Sequence, residues 1–90
     1  MKFTVEKKEI SEALSLVASV AEKRQSIPVL SNILLKAEKE GLTLIATDLE
    51  IELTFKIPKI ELDSKGKTTV SARKLADLVR SVPEDTVLTF

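Results

Sequence analysis

Cysteine and histidine are both absent from the 90-residue sequence. Without cysteine there is no disulfide framework and no thiolate chemistry, and without histidine the chain lacks the usual acid-base group at neutral pH and the commonest metal ligand. The three aromatic residues are all phenylalanine, so leucine, isoleucine and valine must form most of the core. No apolar run has the length of a signal peptide or a membrane span. We therefore expect a cytoplasmic protein with no membrane association and no bound cofactor.

Charged residues are abundant but balanced, with 14 lysines and arginines against 14 aspartates and glutamates. A free-standing binder of nucleic acid or membrane that relied on bulk attraction would have a clear excess of positive charge. Any such binding by this chain would need a local basic patch. The length bounds the architecture as well, because 90 residues form one small domain at most.

The middle of the chain has the pattern of three consecutive strands, over Ile33–Ala37, Leu42–Ala46 and Leu49–Ile57. In the third strand apolar and polar residues alternate without interruption, and a strand points successive side chains to opposite faces. The apolar members of that strand are Leu49, Ile51, Leu53, Phe55 and Ile57. Gly41 suits the first turn because glycine readily adopts a positive φ. We predict an antiparallel meander with one buried face, which helices or another sheet must cover.

The two ends of the chain have a similar order of elements. A strand over Lys2–Glu6 precedes an amphipathic helix over Lys8–Ala21, and a strand over Lys67–Val70 precedes a helix over Ser71–Val82. Thr86–Phe90 then resumes the alternation of a strand. The fold class predicted is α+β, with a strand-helix-three-strand unit followed by an incomplete second copy of strand, helix and strand.

Individual residues predict the bounds and the buried face of the second helix. Ser71 is a suitable N-cap, and Pro83 ends the helix. Its predicted buried stripe is Ala72, Leu75, Leu78, Val79 and Val82. Val87 and Leu88 are the core candidates of the last strand, and Lys59–Gly66, rich in charge, serine and glycine, is predicted to be a surface connection.

The repeat has two interpretations. If it is real, the second sheet lacks two strands, and residues 1–90 are a fragment of a domain about a third longer. Alternatively, two amphipathic helices that each follow a strand match by coincidence.

Several motifs together resemble a known family. They are Met1–Val5, Ile27–Leu35, Ala46–Glu50, Val70–Lys74 and Val82–Pro83, and their order and spacing resemble the amino-terminal domain of bacterial sliding clamps, the β subunits of DNA polymerase III. The resemblance implies a DNA-clamp fold in which two subunits of three similar domains close a ring around duplex DNA of any sequence. The chain would be the first clamp domain without its last two strands, and the later domains would be absent. The implied partners are duplex DNA, a second subunit of a homodimer, the polymerase and a clamp loader, all in the bacterial cytoplasm.

The candidate DNA contacts are Arg24, Arg73 and Arg80. Arg73, Asp77 and Arg80 share one face of the second helix, at i, i+4 and i+7. Spacing alone favours an ordinary solvated helix face. The resemblance implies a DNA-facing role for this face, places Arg24 on the DNA side of the ring, and places Lys74 at the subunit junction.

An acidic exterior is the expected counterpart of that face. Glu50 and Glu52 point away from the apolar side of the predicted sheet, where they would repel DNA. With Asp48 they also recur at i, i+2 and i+4, a spacing that could hold a hard cation or supply an acid and a base.

The sequence leaves two other classes of function, an enzyme and a binding scaffold. The carboxylates have no histidine partner, and the sequence shows neither a glycine-rich phosphate loop nor a nucleophile with a base at a readable spacing. We therefore expect a non-catalytic accessory subunit of a DNA-directed DNA polymerase, with no catalytic residues and no metal site. The remaining alternative is a small α+β scaffold that recruits a partner through an open sheet edge.

Overall fold

The computed structural model describes residues 1–21, 32–47 and 51–90. Within these ranges the chain forms seven strands and two helices. In chain order they are β1 (Lys2–Glu6), α1 (Lys7–Ala21), β2 (Asn32–Glu38), β3 (Gly41–Thr47), β4 (Glu52–Ile57), β5 (Glu61–Ser64), β6 (Gly66–Ser71), α2 (Ala72–Ser81) and β7 (Val87–Thr89). The strands form two antiparallel sheets, with the orders β4-β3-β2-β6 and β5-β1-β7.

The predicted meander is confirmed, with its third strand, β4, beginning at Glu52; Leu49, the predicted start of that strand, lies outside the described residues. β3 pairs with β2 through partners such as Leu35 and Leu44, and with β4 through partners such as Leu44 and Phe55. A slip of this register by one residue would move the buried side chains, such as Leu35 and Leu44, to the outer face. Gly41 lies at the β2–β3 turn with a φ of 134°.

Strands are exchanged between the two similar units. β6, which opens the second unit, pairs with β2 of the first, and β7, which follows α2, pairs with β1. Phe90 extends the second pairing, because it exchanges two backbone hydrogen bonds of 3.0 and 2.8 Å with Phe3 and stacks on its ring at 4.8 Å. Neither unit can therefore complete its sheet alone.

One apolar core lies between the sheets and the helices. α1 packs on β3 and β4, and α2 packs beside α1 and against β6. The largest fully buried side chains are Phe3, Val5, Ile10, Leu14, Val17, Ile33, Leu35, Leu42, Leu44 and Val79. Among the described residues, neither helix combines the length and the apolar character that crossing a membrane requires.

The segment predicted as a surface connection contains a strand, β5. Its pairing partner is the free edge of β1, where Leu62 lies opposite Phe3. Leu62 is half-buried while Glu61 and Asp63 are exposed, which is the alternation of a strand with one solvent-exposed face. Charged residues are frequent on edge strands, so the composition that suggested a loop is equally compatible with this position.

Three residues predicted to face the core are exposed. Ile51 precedes β4, and it is 57% exposed. Leu78 is also 57% exposed, because Ala76 and not Leu78 completes the inward stripe of α2 with Ala72, Leu75 and Val79. Val87 is 59% exposed because it alternates with the half-buried Leu88, so the two cannot share a face.

Gly41→Ala tests the β2–β3 turn. A Cβ at this position would lie 2.4 Å from the carbonyl oxygen of Ile57, and the backbone has a positive φ that side chains disfavour. We expect the free energy of unfolding to fall by at least about 2 kcal/mol in urea denaturation.

Gly66→Ala is the matched control, since its Cβ would meet the exposed terminal residue Met1, which can move aside. We expect a loss below about 1 kcal/mol for this variant. Equal losses for the two glycines would contradict the account of the turn.

Candidate nucleic-acid interface

α2 is a short helix with well-defined ends. The side chain of Ser71 accepts a hydrogen bond of 3.3 Å from the backbone nitrogen of Lys74, which confirms the predicted N-cap. Val82 is extended, and Pro83 cannot continue the helix. The apolar stripe faces inward, so the charged residues of α2 are left on its outer surface.

The outer surface of α2 is net positive. Arg73, Lys74 and Arg80 are exposed, and so is the single acid, Asp77. The guanidinium of Arg80 donates to the Oδ1 atom of Asp77 one turn away. Among the described residues no carboxylate lies within ion-pair distance of Arg73, so its charge is uncompensated. Three cations and one anion leave a surplus of two positive charges on the whole outer surface of α2.

A shallow groove of about 160 Å³ separates the two helices on the same side of the molecule. The α1 side presents three serines spaced four residues apart, and α2 contributes Arg80; the lining residues are Ser11, Leu14, Ser15, Ser19, Ala76, Val79 and Arg80. Hydroxyl and guanidinium donors are the groups that contact nucleic-acid phosphates without reading base sequence. The groove therefore continues the cationic face of α2 as a neutral, hydrogen-bonding surface.

The outward face of α1 is only weakly charged. Glu12 is exposed, and Lys8 pairs with Glu6 at 3.7 Å. Lys7 adds no exposed charge to this face, because it is only 5% exposed.

Lys7 instead links the start of α1 to the end of α2. Its Nζ donates a hydrogen bond of 2.6 Å to the carbonyl oxygen of Val82 and lies 3.5 Å from a carboxylate oxygen of Glu84. Its backbone nitrogen donates to the carbonyl of Thr86 at 2.9 Å. One residue thus fixes the turn between α2 and β7 against the first unit, and with it the end of α2 that bears Arg80.

Lys74 and Leu78 form a second surface on α2. They lie one turn apart at i and i+4, Lys74 is exposed, and Leu78 is one of the most exposed large apolar side chains among the described residues. Neither residue lines the groove to α1. A cation beside an exposed leucine suits a protein partner with an acidic and apolar surface. Sequence reasoning missed Leu78 because it was assigned to the buried stripe.

The outer face of the four-stranded sheet is not uniformly acidic, contrary to expectation. Glu52 is exposed there as predicted. The pairing of β6, β2, β3 and β4, however, aligns Lys67, Lys36, Thr43 and Lys56 across the same face. Of the charged residues described on this face, three are lysines and two are glutamates.

Other predicted residues lie outside the described ranges. Arg24 belongs to the range 22–31, and Asp48 and Glu50 belong to the range 48–50, both of which lie outside the described residues. Their positions relative to α2 therefore stay predictions. Within the described ranges no three acidic residues come together in a way that could hold a metal ion.

Comparisons with known proteins identify a family that the chain matches. The model of a protein family described as "DNA polymerase III beta subunit, N-terminal domain" matches residues 1–90. A curated relative named "Beta sliding clamp" from Pseudomonas aeruginosa is 43% identical over 88 residues, and one from Escherichia coli is 38% identical over 84 residues. These alignments cover 98% and 93% of the chain but 24% and 23% of the relatives, so the chain spans about a quarter of their length.

Solved structures give the same result. "Caulobacter crescentus pol III beta" superposes with a TM-score of 0.92 at 39% identity, over 99% of this chain and 24% of that one. The DNA polymerase III subunit beta from Pseudomonas aeruginosa gives 0.91 at 42% identity over the same shares.

Lys7→Met tests the link between the helices. The methionine fills a similar volume but leaves the carbonyl of Val82 without its donor, so we expect the free energy of unfolding to fall by about 1–3 kcal/mol in urea denaturation. Lys8→Met is the control, because Lys8 is exposed and should tolerate the change.

Glu84→Gln separates the two partners of Lys7. The carboxylate side chain is 92% exposed, so its ion pair is screened by solvent and the unfolding midpoint should hardly move. A loss in Glu84→Gln as large as in Lys7→Met would mean that the ion pair, and not the hydrogen bond to Val82, fixes the turn.

Proposed function

Because the chain belongs to the family of the amino-terminal domain of the DNA polymerase III β subunit, we propose that it acts as part of a sliding clamp. In this proposal the clamp subunit forms a ring around duplex DNA and tethers the replicative polymerase for processive synthesis. The chain contributes a non-catalytic, DNA-facing domain, and the other partners are a second clamp subunit and a clamp loader.

The observation that supports a DNA-facing role is the surface shared by the two helices. Arg73 and Arg80 are exposed on α2, and the face continues across the groove to the serines of α1. These groups can reach phosphate oxygens, and contacts to phosphates carry no sequence information. Binding through this surface would be independent of sequence.

The low density of positive charge on the helix surface is compatible with sliding along DNA. Each cation that neutralises a phosphate strengthens binding and its dependence on salt, so a dense basic surface would hold DNA in place. Here Asp77 already engages Arg80, and the facing surface of α1 is neutral along the serine row. Such a surface attracts DNA weakly, so the closed ring, and not the charge, would keep the clamp on DNA.

The surface formed by Lys74 and Leu78 is proposed as this domain's part of the subunit junction. Two copies joined through the same patch would bring like-charged lysines together, which costs free energy. The junction therefore needs a different, acidic surface on the partner. In the isolated chain this surface is left unpaired.

Arg73→Gln with Arg80→Gln tests the DNA contact. We expect the full chain to bind a fluorescein-labelled duplex weakly at low salt in an anisotropy titration, with equal affinity for unrelated sequences. The double variant should bind more weakly, and the slope of log K against log salt should decrease in magnitude by about 1 to 2.

Lys59→Gln with Lys65→Gln is the charge-matched control, since both lysines are exposed in the segment around β5. It should change the slope less than the arginine variant does. Equal effects of the two variants would mean that the chain attracts DNA only through its overall charge, and the proposed interface would be wrong.

Sedimentation velocity tests the junction. Because the Lys74–Leu78 surface is not complementary to itself, the chain should sediment as a monomer, and Leu78→Glu should leave the profile unchanged. A discrete dimer that Leu78→Glu abolishes would show that this surface joins two identical copies and contradict the proposal.

A further inference from the structure

The outer face of the four-stranded sheet bears a row of cations that the DNA-facing helices do not use. Lys67 lies directly opposite Lys36, Lys36 is opposite Thr43, and Thr43 is opposite Lys56. The third pairing comes from the β3–β4 ladder. We call Lys36, Lys56 and Lys67 the lysine row. At a strand spacing of about 4.8 Å the row extends about 14 Å across the sheet.

Lysines are common on edge strands such as β4 and β6, but strand pairing does not favour a lysine directly opposite another lysine. Like charges directly opposite each other on an antiparallel pair are destabilising, and Lys67 and Lys36 form such a pair. Lys36 has an acidic neighbour, Glu38, at 3.5 Å. For Lys56 and Lys67 no carboxylate within 4.0 Å is found among the described residues. Departures from local consistency of this kind are expected where a surface serves a function.

An apolar pair lies beside the lysine row on the same face. Leu34 and Ile45 are opposite each other on β2 and β3, and both are half-buried. Thr69 and Thr54 flank them on the neighbouring strands. Same-face residues on a strand are about 7 Å apart, which leaves room for an extended backbone between the lysine row and the apolar pair.

From this geometry we infer that the outer sheet face binds an extended peptide segment in which acidic and apolar residues alternate. The peptide backbone crosses the strands between the two rows. Its acidic side chains point to Lys36, Lys56 and Lys67, and its apolar side chains point to Leu34 and Ile45. Three acidic residues at alternate positions of an extended chain span about 14 Å, the length of the lysine row.

The apolar pair favours a peptide over nucleic acid as the occupant. A duplex backbone offers phosphates to the lysines but nothing that gains from contact with Leu34 and Ile45. The sheet face is also the opposite side from the buried core residues, and so from the helices packed on them, so the two surfaces can be occupied together. The inference does not depend on the proposed DNA contact.

The test measures the anisotropy of a fluorescein-labelled peptide of alternating glutamate and leucine, titrated with the full chain. The row variant combines Lys36→Gln, Lys56→Gln and Lys67→Gln. The control combines Lys39→Gln, Lys59→Gln and Lys65→Gln, which removes the same charge from exposed positions outside the row. We expect the row variant to bind the peptide about tenfold more weakly and the control to stay within about twofold of the unchanged chain.

Two further measurements complete the test, the first of which excludes misfolding of the row variant. Because the row variant loses a like-charge repulsion, its urea midpoint should be no lower than that of the control. Arg73→Gln with Arg80→Gln should leave peptide binding unchanged, which separates this inference from the proposed DNA contact.

Three outcomes would overturn the inference. The first is equal weakening by the row and control variants. The second is equal binding of a peptide with serine in place of leucine, because the apolar pair would then be irrelevant. The third is a preferential loss of duplex binding in the row variant, because the occupant would then be nucleic acid.

Discussion

The exchange of strands between the two units is the constraint on which the rest of the structure depends. β1 of the first unit pairs with β7 of the second, and β2 of the first unit pairs with β6 of the second. Each sheet therefore contains strands from both units. This pairing brings α1 and α2 side by side over one core. α1 follows directly on β1 and α2 follows directly on β6, and Lys7 adds a direct link from the start of α1 to the turn after α2. The groove and the exposed arginines are consequences of that packing.

The two faces of the molecule have different electrostatic characters. The helix face is mildly positive, with Arg73 uncompensated among the described residues, Arg80 shared with Asp77, and serines along α1. The sheet face is mixed, because the lysine row lies between glutamates at both ends of the strands. A neutral chain therefore contains two surfaces of different local charge, which the total charge of the sequence conceals.

Much of the fold follows from local pattern. Alternation identified β4, although this strand begins only at Glu52, and the N-cap at Ser71 with Pro83 identified α2 to within a residue or so. The sequence did not predict β5, because its strand character comes from pairing with β1 and not from its own composition. It also misplaced Leu78, because a four-residue inward stripe is narrower than the apolar content of α2 suggested. The lysine row could not be predicted from any one segment of the sequence, because its three members are brought together only by the register of four strands.

We propose that the paired helices, and not the sheets, meet DNA. Chemical-shift mapping tests it most directly, by titrating a short duplex of arbitrary sequence into the isotopically labelled chain at low salt. The account predicts perturbed amides along Arg73–Arg80 of α2 and along the serine side of α1, with little change on β2, β3 and β4. Perturbations concentrated around Lys36, Lys56 and Lys67, with α2 unaffected, would contradict it.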